Sequence, residues 1–251
     1  MVAGERVTGE LATGEAVPSV TLHVSSTPEA LALAAADFIA ARVKEKPDLS
    51  LLAATGNTPM PTYAELARRV QAGEADFRRV TAVQLDEYLG LDDLSLDVGD
   101  PRSLWAWMAR SFVEPLGIRR VVRLHAPLAF EAEVGELGGL DLAVLGLGPN
   151  GHLGFNEPPS PPDAPTRQVA LSAKSLESNR AYWGELPVPG RAITAGMNVL
   201  LAARETLLLV SGAHKQDILR RTLEGPQTPE LPASYLRRTR LTVLTDEAAA
   251  P

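Results

Sequence analysis

The chain has 251 residues, 45% of them hydrophobic, enough to bury a sizeable core as one large α/β domain or two small ones. A formal net charge of −7 opposes nucleic acid as a partner but leaves room for a small anion held by a local pocket of donors. The absence of cysteine excludes disulfides, thiolate catalysis and cysteine-bound zinc, and no stretch approaches a membrane span.

Residues 1–18 mix Glu5, Arg6, Glu10 and Glu15 with glycines, and no apolar run follows a basic start. A flexible segment is expected there, not a signal peptide. A single domain is expected over 19–251. Its first apolar run, 20–24, predicts a strand, and Ser26-Thr27-Pro28 predicts a helix start with Thr27 as cap and Pro28 in the first turn. Further strands are predicted at 49–53, 80–85, 141–145, 206–210 and 241–244, with helices at 61–70, 103–112, 131–137 and 215–223. Strand–helix alternation predicts an open, mostly parallel sheet with helices on both faces. The proline-rich run 158–165 forbids helix and central strand, so it reads as a stiff loop opening an excursion over about 159–189 that can act as a lid. A second proline-rich stretch, 226–232, precedes the last strand.

Ligands of open α/β sheets sit beyond the carboxyl ends of the strands. Three such ends carry unusual residues. The first is Thr55-Gly56-Asn57-Thr58-Pro59, where a glycine, two hydroxyls and the amides of a following helix suit a phosphate. A capped helix start with a turn glycine is the competing reading. The second is Leu85-Asp86-Glu87-Tyr88, where a carboxylate ending a buried strand suits a general base. An exposed acidic pair with one member capping a helix competes with it. The third is Gly146-Leu147-Gly148-Pro149-Asn150-Gly151-His152-Leu153-Gly154-Phe155-Asn156-Glu157-Pro158. Glycines at this density let backbone amides converge on a ligand, and His152 with Glu157 can form an acid/base pair. Lys215, at a strand-to-helix junction, can reach an anion or stand in solvent. Arg167 and Arg180 can close over a phosphate from the lid or be ordinary surface arginines. His23 and His125 read as structural, and no group of histidines and acids has a metal-site spacing.

The motifs at 55–63, 85–91 and 146–158 resemble those of the glucosamine-6-phosphate deaminase family, in the same order and at similar spacing. Thr166-Arg167, Ser211-Gly212-Ala213-His214-Lys215 and the closing residues 241–247 extend the resemblance over nearly all of 20–247. It implies a Rossmann-like fold and conversion of glucosamine 6-phosphate to fructose 6-phosphate and ammonia, with no cofactor and no metal. By position, Asp86 resembles the base that moves a proton between C2 and C1, His152 the group assisting ring opening, and Glu157 its partner. Thr55, Gly56, Asn57, Thr58 and Lys215 resemble phosphate contacts. Asn150 stands where many members carry aspartate, so the relay rests on Glu157. The lid pattern Asn-Ser-Arg-Phe-Phe is Asn179-Arg180-Ala181-Tyr182-Trp183 here, shifting the phosphate-binding arginine by one position to Arg180.

Some members are hexamers activated by N-acetylglucosamine 6-phosphate. This chain keeps Ser160 and Arg167 of that site but has Pro161 and Val169 at its serine and lysine positions, and ends at Pro251 without a C-terminal extension. The expectation is therefore an unregulated cytoplasmic enzyme, monomeric or a small homo-oligomer, acting on an amino-sugar phosphate and binding neither nucleic acid nor membrane. A 6-phosphogluconolactonase of the same fold, which needs His152 but not Asp86, and a non-catalytic sugar-phosphate sensor are the alternatives.

Overall fold

The computed structural model describes residues 18–251, so the expected flexible segment lies outside the described residues except for Pro18. The strands in chain order are β1 (Ser19–Ser25), β2 (Ser50–Ala53), β3 (Thr81–Gln84), β4 (Asp86–Leu89), β5 (Arg120–Val122), β6 (Leu142–Gly146), β7 (Arg167–Ala170), β8 (Arg191–Thr194), β9 (Glu205–Val210) and β10 (Arg240–Asp246). Seven of them form a fully parallel sheet in the order β1-β10-β9-β6-β2-β3-β5. The helices are α1 (Pro28–Glu45), α2 (Met60–Gln71), α3 (Leu104–Met108), α4 (Pro127–Glu136), α5 (Ala173–Trp183), α6 (Met197–Leu201) and α7 (Gln216–Glu224). This is the open, mostly parallel α/β architecture that the alternating pattern predicts.

The core lies on both faces of the sheet because successive side chains of a strand point to opposite sides. Leu51, Leu142, Val144, Leu207 and Leu209 pack with Leu31, Ile39 and Leu66 of α1 and α2. Their neighbours Leu52, Ala143, Leu145, Leu208 and Val210 pack on the other face with Phe130, Leu200 and Leu219 of α4, α6 and α7. Burial on both faces explains why these strands read as continuous apolar runs. Thr27 caps α1 as its sequence predicts, accepting from the Ala30 N–H at 3.1 Å. No helix among the described residues is long and apolar enough to cross a membrane.

Three features depart from the sequence reading. The strand expected at 80–85 stops at Gln84, whose side-chain amide donates to the Asp86 carbonyl at 2.9 Å and accepts from the Leu124 N–H at 3.1 Å. Those bonds take backbone groups that a longer ladder would use, and the chain re-enters a second, antiparallel sheet, β4-β8-β7. The excursion is also more ordered than a loop. After the proline run, which carries neither helix nor strand, it contains β7 and α5, the latter capped by Ser172 through the Ser175 N–H at 3.2 Å. Finally, the helix expected to begin at 131 begins at Pro127, a favoured first-turn residue.

Candidate active site

The carboxyl ends of β9, β6, β2 and β3 lie side by side in the middle of the sheet. From β2 the chain builds outward through β3 to β5, and from β6 outward through β9 to β10, so the order reverses between β2 and β6. A crevice is expected at such a reversal. A cleft of about 630 Å³ opens there, lined by Thr55–Thr58, Asp86, Gly146–Pro149, His152 and Lys215. Three sequence motifs far apart in the chain thus meet at one place.

The turn after β2 holds Gly56 at φ 102°, a left-handed conformation that a side chain would strain. It is braced by the Ala54 N–H donating to the Val144 carbonyl at 3.0 Å and by the Tyr63 hydroxyl donating to the Ala54 carbonyl at 3.0 Å. Also lining the cleft, Lys215 follows the turn after β9. The buried Asp246 carboxylate fixes that turn, accepting from the Ser211 hydroxyl at 2.5 Å and the Gly212 N–H at 3.0 Å. The Lys215 ammonium donates to the Leu147 carbonyl at 2.7 Å, which holds it over the glycine-rich loop.

Asp86 and Glu87 are both buried and do different things. As neighbours on β4 they face opposite sides. Glu87 accepts from the N–H groups of Tyr88 at 2.8 Å, Leu104 at 2.9 Å and Trp105 at 2.8 Å, and from the Ser103 hydroxyl at 3.0 Å. It accepts from the first turn of α3, which matches the capping half of the competing reading, but the pair is buried and not exposed as that reading expected. Asp86 lines the cleft instead. Among the described residues its Oδ1 has no hydrogen-bond partner. Its Oδ2 lies against Gly154, 3.2 Å from where a Cβ there would stand. Burial, with the Glu87 charge adding to it, pushes the Asp86 carboxyl up to about 8.

The loop after β6 is closed by two backbone bonds. Gly148 N–H donates to the His152 carbonyl at 3.0 Å, and Gly151 N–H donates to the Gly148 carbonyl at 3.0 Å. Asn150 Oδ1 accepts from the His152 N–H at 3.3 Å, an Asx turn that helps set the histidine's direction. The imidazole lies on the Gly148 backbone so closely that a Cβ at Gly148 would stand 2.2 Å from its Cδ2. Glu157 and Asn150 are not among the cleft-lining residues. Glu157 Oε2 accepts from the N–H of Ser172, the α5 cap, at 3.3 Å, and its buried Oε1 has no hydrogen-bond partner among the described residues.

The segment expected to act as a lid contributes α5 to the cleft, where Ser178, Asn179 and Tyr182 line it together with Trp107 from α3. Asn179 donates to the Tyr88 hydroxyl at 2.9 Å. Arg180 is a correction. It lines a separate cavity of about 260 Å³ with Leu176, Glu185 and Pro187 and does not line the cleft. At 100° per residue it points about 150° away from the middle of the face carrying Ser178, Asn179 and Tyr182. Arg167 does not reach the cleft either, since its guanidinium donates to Asn156 Oδ1 at 2.8 Å and to the Ser160 hydroxyl at 2.9 Å. Tyr182, Trp107 and Asn179 were absent from the predicted site. Their signal is the helical phase of α5 together with the aromatic content of α3 and α5. Among the described residues, no cluster of three or more histidine, aspartate and glutamate side chains is placed to hold a metal ion.

Comparison with known proteins bears on this arrangement. The sequence model of the glucosamine-6-phosphate isomerases/6-phosphogluconolactonase family matches residues 26–245. The glucosamine-6-phosphate deaminase of Rhodopirellula baltica is 36% identical over 245 residues, covering 92% of this chain and 95% of that protein. That of Pseudarthrobacter chlorophenolicus is 38% identical over 229 residues, covering 86% of each. Among solved structures, a monomeric glucosamine-6-phosphate deaminase superposes with a TM-score of 0.84 at 34% identity, covering 91% of this chain and 98% of that one. A 6-phosphogluconolactonase from Leishmania guyanensis gives a TM-score of 0.72 at 19% identity over 91% of this chain and 96% of its own, a likeness of fold. With its motifs converging on one cleft and the family's sequence pattern running through almost all its described length, the chain belongs to the glucosamine-6-phosphate isomerases/6-phosphogluconolactonase family.

Proposed function

We propose that the chain is a glucosamine-6-phosphate deaminase, an isomerising enzyme that converts glucosamine 6-phosphate and water to fructose 6-phosphate and ammonia. The observation that carries this reading is Asp86, a buried carboxylate facing the same cleft as His152 and lacking a hydrogen-bond partner for Oδ1 among the described residues. Burying such a group costs stability, and a high proton affinity is what C2-to-C1 proton transfer asks of a base. His152 serves ring opening by moving the proton between the ring oxygen and the C1 hydroxyl. Asp86 takes the proton from C2 and returns it to C1, leaving an imine at C2 that water hydrolyses to the ketone and ammonia. Asn150 sets the His152 turn, and Glu157, at the far end of the same loop, ties it to Ser172 in the segment read as a lid over 159–189. A lactonase would need a base toward water but no carboxylate at Asp86. The deaminase relatives are also far nearer in sequence than the solved lactonase. Ammonia and fructose 6-phosphate release from glucosamine 6-phosphate tests the reading.

The substrate phosphate is assigned to the turn Thr55–Thr58 and to Lys215. Lys215→Ala is expected to weaken binding of every 6-phosphorylated sugar by the same factor, about 10- to 100-fold, because an ammonium reads the phosphate and not the ring. Titrating glucosamine 6-phosphate and glucose 6-phosphate against both proteins checks this. Unequal losses would give Lys215 another role.

The same reading makes the enzyme unregulated, monomeric or a small oligomer, and cytoplasmic, since a charged sugar phosphate does not cross a bilayer. It is supported by Ser160 and Arg167, whose side chains are bonded to each other, and by Pro161 and Val169 beside them. Steady-state rates are expected to be hyperbolic and unmoved by N-acetylglucosamine 6-phosphate. Sigmoidal rates that become hyperbolic when it is added would contradict this.

A further inference from the structure

We propose that the Tyr182 hydroxyl is a ligand of the substrate phosphate, delivered across the cleft by the lid helix. The inference rests on the deaminase reading and adds a residue to its phosphate site. Three observations support it. First, Tyr182 lies on the cleft face of α5, while Arg180, the cation of that helix turn, faces another cavity. Second, the Tyr182 hydroxyl stands on the turn assigned to phosphate. It lies 3.6 Å from the position a Cβ would take at Gly56, in van der Waals contact, and the Asn57 backbone amide lies beside it. Third, the ring is held in place by its neighbours. Trp107 packs edge-on against it at 5.4 Å between centroids, and Asn179, one helical turn earlier, is tied to the Tyr88 hydroxyl.

A phosphate seated on the Asn57 amide lies within reach of the phenol, which can rotate its proton from the protein toward an anionic oxygen. Burial raises the Tyr182 phenol above its ordinary range, so at neutral pH it stays protonated and able to donate. The lid then closes on the substrate through an uncharged donor. Lys215, which lines the same cleft, supplies positive charge.

The test is Tyr182→Phe, which keeps the ring and its packing on Trp107 and removes only the hydroxyl. Calorimetric affinity for inorganic phosphate and the KM for glucosamine 6-phosphate are measured in this variant, in Arg180→Ala and in the parent. The expected result is a loss of about tenfold in both quantities for Tyr182→Phe and no change in phosphate affinity for Arg180→Ala. Unchanged or tighter phosphate binding in Tyr182→Phe overturns the proposal, tighter binding meaning that the hydroxyl only competes for the amide. A loss confined to Arg180→Ala overturns it as well. Phosphate binding requires no sugar chemistry, so failure here is distinct from absence of ammonia release by the parent, which would sink the deaminase reading itself.

Discussion

Asp86→Asn is expected to lower turnover by about 10²–10⁴ while making the protein more stable. The two effects have one cause. The side chain keeps its size but can no longer accept the C2 proton, and the cost of burying a carboxylate disappears with it. The sign of the pH dependence follows from the raised proton affinity. The unfolded carboxyl titrates near 3.8 and the folded one at about 8. Between those values the unfolded chain has released a proton that the folded chain keeps, so stability falls as pH rises across that window. Asparagine removes this dependence, for a gain at neutral pH on the order of 1–4 kcal/mol. At about 2–4 °C per kcal/mol the melting point rises by several degrees. In the parent, kcat/KM rises with pH toward about 8 as Asp86 ionises, beyond any change from the substrate's own phosphate. Melting curves from pH 4 to 8 and turnover of both proteins check all three points. A variant that is less stable at pH 7, or one with near-parental turnover, contradicts the role of Asp86.

Gly148→Ala is expected to cost about 10² or more in kcat without unfolding the protein. The added Cβ would stand 2.2–2.4 Å from three ring atoms of His152, inside any permitted contact. Gly148 has an ordinary φ, so the backbone accommodates alanine and the imidazole gives way. A histidine moved by about an ångström no longer meets the ring oxygen of a sugar held by its phosphate. The checks are kcat and the melting point together. Loss of activity with a melting point within a few degrees of the parent fits the account, and full activity would show that His152 does not need its present position. Gly151→Ala is a poorer probe, because φ there is 81° and a Cβ would also strike Leu231.

What the sequence revealed of the site follows from where its unusual residues fall. Thr55–Thr58, Asp86 and His152 each follow an apolar run buried on both sides, so both the strand and its end are legible. The split of Asp86 from Glu87 follows from strand alternation, but which of the two faces the cleft depends on the second sheet. That sheet was not legible. β7 and β8 are four residues each, β7 is half-exposed, and they pair across an intervening helix. Arg180 shows the same limit at a finer scale. Its charge drew attention, but only the helix phase, fixed by Asn179 on Tyr88, decides that Tyr182 and not Arg180 looks into the cleft. The roles of Asn150 and Glu157 turn on backbone groups, Asn150 bonding to His152 and Glu157 to Ser172. Partners of that kind leave no mark in a pattern of side chains.

The central claim is tested most directly by incubating the purified protein with glucosamine 6-phosphate and measuring ammonia and fructose 6-phosphate together. Parallel reactions contain 6-phosphogluconolactone or no protein. The account predicts ammonia and ketose phosphate in equal amounts, with no lactone hydrolysis above the spontaneous rate. Lactone hydrolysis without ammonia release would contradict it, assigning the cleft to His152-based hydrolysis and leaving the buried Asp86 without the role proposed for it.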